Sequence, residues 1–283
     1  MITFIGSVFS PWYGWTGRKD PDDHVCVNIL MSGPGGRWSM MDRGRAALRQ
    51  EETTIRVGPS GLRWEDGVLH IDLDEAATPH GTRLRGTIQV RPRGITDVEV
   101  PLKADGSHVW RPIAPASDIV VDIDRPGWSW EGHGYLDSNF GTSAIERDFR
   151  YWHWGRFPVP GGRVIFYECE LEDLSETRVA LFFGDDGSVR PLEDHEIPPI
   201  AKMKRSGWAL RRETRGDAGT TPEIVRSMIS APFYQRAVVR TTINGHRSEG
   251  VWEAIDGRRF AAWWMKPLLA LKVPRKPGWR FAD

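Results

Sequence analysis

The chain has 283 residues, a length that fits one large β-rich unit or two modest domains with a sizeable core. Because 38 Lys and Arg residues balance 38 Asp and Glu residues, no net charge draws the chain to nucleic acid, which is excluded as an expected partner. The two cysteines, Cys26 and Cys169, lack a zinc-ligand spacing and are typical of a reducing compartment, although one long-range disulfide stays open.

The N-terminus carries no basic stretch and no cleavable apolar segment, and no run of about 18 apolar residues occurs in the chain. We therefore expect a mature chain that starts at Met1 and spans no bilayer. The 30 glycines and 20 prolines are spread along the chain, which favours short strands over long helices. The 14 tryptophans, against 5 tyrosines, suit either the lining of a long apolar cavity or the cores of β-structure.

Apolar and polar residues alternate with a period of two in several segments, which predicts strands with one face on a core. In chain order these segments are residues 69–73, 84–91, 119–124, 164–171, 179–183 and 237–243. Turn sequences such as Asp105-Gly106 and Asp185-Asp186-Gly187 lie between them. The fold class is therefore predicted as all-β, with barrels or sandwiches rather than alternating strands and helices.

Helical signals are few. Thr221 as an N-cap followed by Pro222 predicts a short helix that ends near Met228. A second short helix is expected around residues 258–264. The rest of the chain carries no regular helical pattern, which agrees with the strand prediction.

A domain boundary is expected in the second half of the chain. Residues 192–208 are polar and contain two adjacent prolines, which predicts a long loop or an interdomain crossing. We place an N-terminal domain at 1–170 and a C-terminal domain at 171–283, with the boundary anywhere between residues 156 and 208.

The C-terminal run 260–271 is rich in aromatic and aliphatic residues, and Lys272, Arg275 and Lys276 follow it. Such a run is typical of an interfacial membrane anchor that is too short to cross a bilayer. The alternative is a last strand that closes a barrel and is followed by a basic tail.

Residues 107–157 contain the densest cluster of aromatic and titratable side chains. On a strand, residues i and i+2 project to the same face, so a pair with this spacing points both members into one cavity. Four such pairs occur: His108 and Trp110, Trp128 and Trp130, Tyr135 and Asp137, and Trp152 and Trp154. Together they predict an aromatic cavity that contains one carboxyl group.

Asp137 is the candidate acid of that cavity. Burial among aromatic side chains disfavours the charged form and raises the pKa of an aspartate, so Asp137 could persist as a neutral acid that donates a proton. The alternative is that Asp137 caps a turn with Ser138 and Asn139 and faces water.

Signatures of other chemistries are missing from the sequence. No phosphate-binding loop, dinucleotide fingerprint or Gly-x-Ser-x-Gly elbow occurs, and the eight histidines have no ligand spacing. We therefore expect neither a cofactor nor a metal site.

Several segments carry a family resemblance. They are residues 5–11, 23–28, 37–40, 108–110, 132–139 and 152–156, of which the Gly-Tyr-x-Asp-x-Asn sequence and the upstream His-x-Trp are the most specific. With these motifs the chain, from Met1 to about residue 264, resembles the carotenoid 1,2-hydratases, also called hydroxyneurosporene synthases, of purple photosynthetic bacteria. The resemblance implies two lipocalin-like antiparallel β-barrel domains.

The resemblance also implies a cofactor-free hydro-lyase. Such an enzyme adds water across the terminal 1,2 double bond of an acyclic carotene, neurosporene or lycopene, and forms the tertiary 1-hydroxy product. Asp137 would then be the acid. Tyr135, His108 and Trp110 would support it, while indole faces stabilise a tertiary cation. The substrate-binding residues would be Trp128, Trp130, Asn139, Trp152 and Trp154.

The partners implied are the carotene, water and a membrane surface that supplies the carotene. The expected location is cytoplasmic, with peripheral attachment to the intracytoplasmic membrane. Two alternatives stay open: a lipocalin-like carrier that binds a hydrophobic ligand without turnover, and a pericyclase of the same fold that needs no acid. The sequence does not indicate an oligomeric state or the preferred carotene.

Overall fold

A computed structural model describes residues 1–78 and 80–276. The chain is mostly β-structure, which confirms the predicted class at that level. The strands are β1 (Ile2–Ile5), β2 (Val25–Leu30), β3 (Trp38–Ser39), β4 (Leu48–Gln50), β5 (Thr54–Val57), β6 (Ser60–Glu65), β7 (Val68–Ala76), β8 (Arg83–Pro92), β9 (Val100–Pro101), β10 (His108–Arg125), β11 (Trp128–Gly141), β12 (Phe149–Val159), β13 (Gly162–Leu171), β14 (Glu176–Gly184), β15 (Val189–Pro191), β16 (Ile200–Lys202), β17 (Glu213–Arg215), β18 (Glu223–Ser230), β19 (Tyr234–Ile243) and β20 (His246–Asp256). The helices are α1 (Pro11–Trp15), α2 (Ile145–Asp148), α3 (Gly257–Ala261) and α4 (Met265–Ala270), with 3₁₀ turns at Pro21–Asp23, Arg45–Ala47 and Asp194–Glu196.

All six segments predicted as strands by alternation lie in strands. They fall in β7, β8, β10, β13, β14 and β19. The physical reason is visible in β19, where buried and half-buried residues alternate along all ten positions. A strand with one face on a core needs this alternation, so the pattern predicts it directly.

The helix predicted from Thr221 to Met228 is wrong. This segment contributes to β18, which pairs antiparallel with β19. The Thr-Pro signal is local, whereas β19 offers a full row of backbone hydrogen-bond partners, and the β-branched Ile224 and Ile229 favour a strand. The second expected helix is present in part as α3, which ends at Ala261 rather than near residue 264.

The chain divides into two compact units that are discontinuous in sequence. Unit 1 comprises Met1–Pro92, Ser117–Gly134 and the residues from Trp263 onward, and unit 2 comprises Arg93–Ala116 and Tyr135–Ala262. This division differs from the sequential domains 1–170 and 171–283, because strands distant in sequence pair with one another. Within unit 2, for example, β12 pairs with β20, and β13 pairs with β14 across residue 171. Cys26 in unit 1 and Cys169 in unit 2 are both free, buried thiols.

Unit 1 contains the small sheet β1-β2-β3 and the antiparallel run of strands from β4 to β8. Its core includes Cys26, Met40 and Val273, and Val273 is completely buried. The C-terminal segment is held there, because the Arg275 guanidinium ion pairs with the buried Asp42 carboxylate. The end of the chain before it forms α3 and α4, so the alternative of a last barrel-closing strand is wrong.

Unit 1 also buries an ion pair. The Arg43 Nη2 atom lies 2.6 Å from Glu75 Oε2, and both side chains are fully buried. The Ser60 hydroxyl donates to Glu75 Oε1 at 2.8 Å. Burial raises the pKa of Glu75, and the Arg43 guanidinium opposes that rise.

Unit 2 is built on a seven-stranded antiparallel sheet with the order β15-β14-β13-β12-β20-β19-β18. Both faces of this sheet are covered by apolar side chains, which alternate along each strand. One face, here called face A, carries Trp154, Tyr167 and Val179 and packs against Trp110. The opposite face B carries Tyr151, Phe166 and Trp252. The candidate site lies against face A.

Candidate active site

The site is centred on three side chains from two strands. Trp110 belongs to β10, and Tyr135 and Asp137 lie two residues apart on β11, so both project from the same side of their strand. The Trp110 Nε1–H group donates to the Tyr135 hydroxyl at 3.0 Å and to Asp137 Oδ2 at 3.1 Å. The Tyr135 hydroxyl in turn donates to Asp137 Oδ2 at 2.9 Å. The turn alternative for Asp137 is therefore wrong, because this residue lies within a long strand.

All hydrogen bonds to Asp137 fall on one oxygen. Asn139 Nδ2 is the third donor to Oδ2, at 3.3 Å, whereas Oδ1 accepts no hydrogen bond from residues 1–78 or 80–276. The side chain is only partly accessible. Because three donors occupy Oδ2, a proton on this carboxyl group belongs on Oδ1.

The environment of Asp137 favours the neutral acid. Burial raises the pKa of Asp137 above its ordinary value, and the Glu253 carboxylate adds to this rise, while hydrogen bonds from Tyr135 and Trp110 oppose it. Burial and the neighbouring Asp137 carboxylate also raise the pKa of Tyr135 well above its usual range. Tyr135 is therefore a neutral hydroxyl that donates to the Asp137 carboxyl group.

Aromatic rings enclose these groups. Trp110 is fully buried and contacts the Tyr167 ring edge-on at 5.6 Å between centroids. The Tyr135 ring lies 5.2 Å from that of Trp154, and Trp152 lies 5.6 Å from Tyr167. Ring faces of this kind stabilise positive charge at about 0.5–2 kcal/mol for each contact.

A second carboxylate, which the sequence analysis missed, stands on face A. Glu253 of β20 accepts a hydrogen bond from the Tyr234 hydroxyl at 2.5 Å and lies 3.2 Å from Arg236 Nε, both on its Oε2 atom. The sequence signal was a charged residue between apolar same-face neighbours, Val251 and Ile255. A charged side chain at a half-buried position of a strand needs hydrogen-bond or ion-pair partners.

The sequence profile described as carotenoid hydratase CrtC matches residues 1–282. This chain belongs to the carotenoid hydratase CrtC family. The resemblance stated above is thereby confirmed, and so is the enzyme class, because a hydratase is a hydro-lyase.

Two relatives in the CrtC family are similar to this chain over their full length. The chain is 50% identical over 283 residues to the acyclic carotenoid 1,2-hydratase of Cereibacter sphaeroides, covering 100% of both chains. It is 49% identical over 284 residues to that of Rhodobacter capsulatus, again covering 100% of both. Among solved structures, an AttH-type protein of Nitrosomonas europaea shares the fold with a TM-score of 0.56 at 12% identity, covering 83% of this chain and 81% of that chain.

In this CrtC family member, His108 does not bond to Asp137. Its Nε2 atom lies 2.9 Å from Asp148 Oδ2, and Lys103 Nζ lies 3.0 Å from the other oxygen of Asp148. Burial raises the pKa of Asp148, but hydrogen bonds from neighbours that include His108 and Lys103 outweigh it and lower this pKa to about 2. A direct role of His108 on the acid is therefore not visible among the described residues, and its catalytic role stays a prediction.

The remaining predicted residues separate into two groups. Asn139, Trp152 and Trp154 belong to unit 2 with the acid. Trp128 and Trp130 belong to unit 1, where the Trp130 side chain is 45% exposed, and their role in substrate binding stays a prediction. Within the described part of the chain, no group of three or more His, Cys, Asp or Glu side chains is arranged to hold a metal ion.

Proposed function

We propose that this chain hydrates the terminal 1,2 double bond of an acyclic carotene, neurosporene or lycopene, without a cofactor and forms the tertiary 1-hydroxy product. The observation that carries the proposal is the Asp137 carboxyl group, whose Oδ2 is held by three donors while Oδ1 is left to donate. The names of the full-length relatives support the reaction, and the raised pKa of Asp137 supports its role as acid.

The chemistry requires a strong, well-placed acid, because an unactivated alkene has no leaving group and no acidic proton. Asp137 Oδ1 gives its proton to carbon 2 and leaves a tertiary cation at carbon 1. Trp110 and Trp154 stabilise that cation through their ring faces and offer it no nucleophile. Water then adds to carbon 1, and loss of one proton gives the alcohol.

The two-barrel architecture is part of the same proposal. It consists of two lipocalin-like antiparallel β-barrel domains, the fold that the family resemblance implies. The mostly β-stranded chain and its likeness to the AttH-type structure support this arrangement.

The direct test is incubation of the purified protein with neurosporene or lycopene in liposomes under anaerobic conditions. We expect a product that is heavier by one water, detected by chromatography with mass detection. Retention of the unchanged carotene, with quenching of tryptophan fluorescence, would instead support a carrier.

The Tyr135→Phe variant is expected to shift the pH profile. The active form of Asp137 is protonated, so kcat/KM falls as the pH rises through the pKa of this group. The Tyr135 hydrogen bond lowers that pKa. Its removal therefore moves the alkaline limb to higher pH, and kcat falls by less than the roughly 10²-fold loss that marks removal of a general acid. The measurement is kcat/KM as a function of pH, and an alkaline limb at the same pH in Tyr135→Phe and the wild type would contradict the role of Tyr135. Tyr151→Phe, on face B, is the matched control.

We also propose that unit 1 docks on an anionic bilayer through α4 and the residues flanking it. Trp263 is 85% exposed and Leu271 is 77% exposed, and Lys266 and Lys272 lie beside them. Exposed aromatic and aliphatic side chains next to lysines suit a lipid interface. No helix in residues 1–78 and 80–276 is long and apolar enough to cross a membrane.

The Trp263→Ser/Leu271→Ser double variant is expected to bind anionic liposomes at least about 10-fold more weakly, since burial of such a side chain contributes about 1.5–3 kcal/mol. Liposome flotation measures this. Point substitutions are preferable to truncation, because Val273 belongs to the core of unit 1. Ile95→Ser removes an apolar side chain of unit 2 that is 60% exposed and is the control. Equal flotation of the double variant and the wild type would remove the docking proposal.

A further inference from the structure

A second carboxylate lies in the same side-chain row as the aromatic wall of the site. Glu253 on β20 stands directly opposite Trp154 on β12, and Trp154 stands opposite Tyr167 on β13. On the other side, Glu253 stands opposite Arg236 on β19. Directly opposed residues of antiparallel strands project to the same face, so all of these side chains line face A. The Trp154 ring packs against that of Tyr135, which holds the Asp137 carboxyl group.

Glu253 is held in place by one oxygen only. Tyr234 and Arg236 both approach Oε2, and Oε1 accepts no hydrogen bond within the part of the chain that the structure describes. The side chain is 18% exposed, so it is desolvated on one side and reachable on another. A carboxylate with this arrangement presents a free, oriented acceptor.

A buried donor without a partner stands on the opposing strand. The Trp154 side chain is 4% exposed, and its Nε1–H group has no hydrogen-bond partner among the described residues. A buried N–H group that lacks a partner costs about 1–3 kcal/mol, so such a group usually binds a water or a ligand. Trp154 therefore supplies a donor directly across the strand pair from the residue that supplies the acceptor, and a donor and an acceptor together can orient one water molecule.

We infer that Glu253 Oε1 and Trp154 Nε1 hold the water that attacks carbon 1, and that Glu253 is the base of the reaction. This inference rests on the proposed hydration. Trp154 donates to the water oxygen, the water donates one hydrogen to Glu253, and a lone pair of the oxygen faces the cation. The Coulomb interaction between the two carboxylates supports their proximity, because Glu253 raises the pKa of Asp137.

The step balances. The π electrons of the double bond take the proton from Asp137 Oδ1 and form the C–H bond at carbon 2. The water oxygen forms the C–O bond at carbon 1, and the O–H bond to the departing proton breaks as that proton passes to Glu253. Asp137 is then a carboxylate and Glu253 a neutral acid, and one proton returns through solvent to Asp137 before the next turnover. One water is consumed and no net proton is released.

Hydration in D₂O separates the acid from the base. If Glu253 acts only after protonation, a cation formed in Glu253→Gln cannot be quenched efficiently. It then loses a protium, from carbon 2 or from a methyl group on carbon 1, to the Asp137 carboxylate, and the delivered deuteron stays in the carotene. We expect this variant to form alcohol about 10²-fold more slowly or worse, while deuterium enters the unhydrated carotene faster than in the wild type, where water captures most of the cation. Asp137→Asn is expected to lose both signals.

Two further variants sharpen the test. Trp154→Phe keeps a ring at the site and removes the N–H group, so alcohol formation is expected to fall while deuterium still enters the carotene. Glu249→Gln is the matched control, since Glu249 lies on the same strand and pairs with an arginine, but is exposed. It is expected to behave as the wild type.

Wild-type alcohol formation by Glu253→Gln would overturn the inference. So would the joint loss of deuterium and alcohol in a variant whose circular dichroism and thermal unfolding match the wild type, because Glu253 would then act on the protonation step. If Glu253→Gln does not fold, Trp154→Phe decides: wild-type alcohol formation by that variant removes the proposed water site. If the wild type itself gives neither deuterated carotene nor alcohol, the proposed function fails and the inference falls with it.

Discussion

Replacing Asp137 with Asn is expected to lower the rate of carotene hydration by about 10²–10⁴-fold, the usual contribution of a general acid. The asparagine side chain has nearly the same shape, and its amide oxygen can still accept from Trp110 and Tyr135. It carries no transferable acidic proton. Binding of the carotene should therefore persist, which quenching of tryptophan fluorescence measures, while the product heavier by one water disappears.

The alternatives predict different outcomes of the same comparison. A hydrated product from both proteins would keep the reaction and discard Asp137 as its acid. A cyclised product of unchanged mass from both would indicate a pericyclase, which needs shape but no proton. Asp173→Asn, a change at an exposed turn aspartate of the same unit, is the matched control and should leave the rate unchanged.

The sequence predicted the strands and the shared side of Tyr135 and Asp137 because both depend on local spacing. Alternation of period two is a property of single strands, so β7 and β19 were predictable without knowledge of their neighbours. The spacing of Tyr135 and Asp137 likewise places both on one side of β11. Contacts within one strand are thus encoded over a few residues.

Contacts between strands were not predictable in this way. The ion pair of Arg236 with Glu253 depends on the register of β19 with β20, and the location of Trp154 beside them depends on the pairing of β20 with β12. Alternation specifies which residues share a face but not which strand lies next. The partner of His108 was missed for the same reason, because Asp148 lies in a one-turn helix that has no periodic signal.

The helix wrongly predicted at 221–228 illustrates the opposite case. Capping signals act over one turn, and a short isolated helix is marginal in water. An edge of a seven-stranded sheet offers a continuous set of backbone partners, which outweighs the cap. Where a strand such as β19 needs a neighbour, tertiary pairing decides the local conformation.

The largest expected effect on stability comes from Arg43→Met in unit 1. Arg43 and Glu75 are both completely buried and lie 2.6 Å apart, so removal of the guanidinium leaves a carboxylate without its counter-charge in the core. Breaking a buried pair in this way costs about 3–5 kcal/mol. Urea unfolding should show a lower midpoint. The expected loss is a large part of the free energy of unfolding, which is roughly 5–15 kcal/mol for most domains.

The pH dependence of the stability of Arg43→Met shows whether the unpaired Glu75 carboxylate causes the loss. Burial already raises the pKa of Glu75 and Arg43 opposes this, so the variant has a pKa for Glu75 still further above that of the unfolded chain. The folded state then binds more protons than the unfolded state, and stability falls as the pH rises. The deficit of Arg43→Met should therefore shrink between about pH 8 and about pH 5.5. Arg43→Met/Glu75→Gln, which removes both charges, should recover most of the lost stability at the higher pH; a deficit that is independent of pH and persists in the double variant would point instead to lost packing.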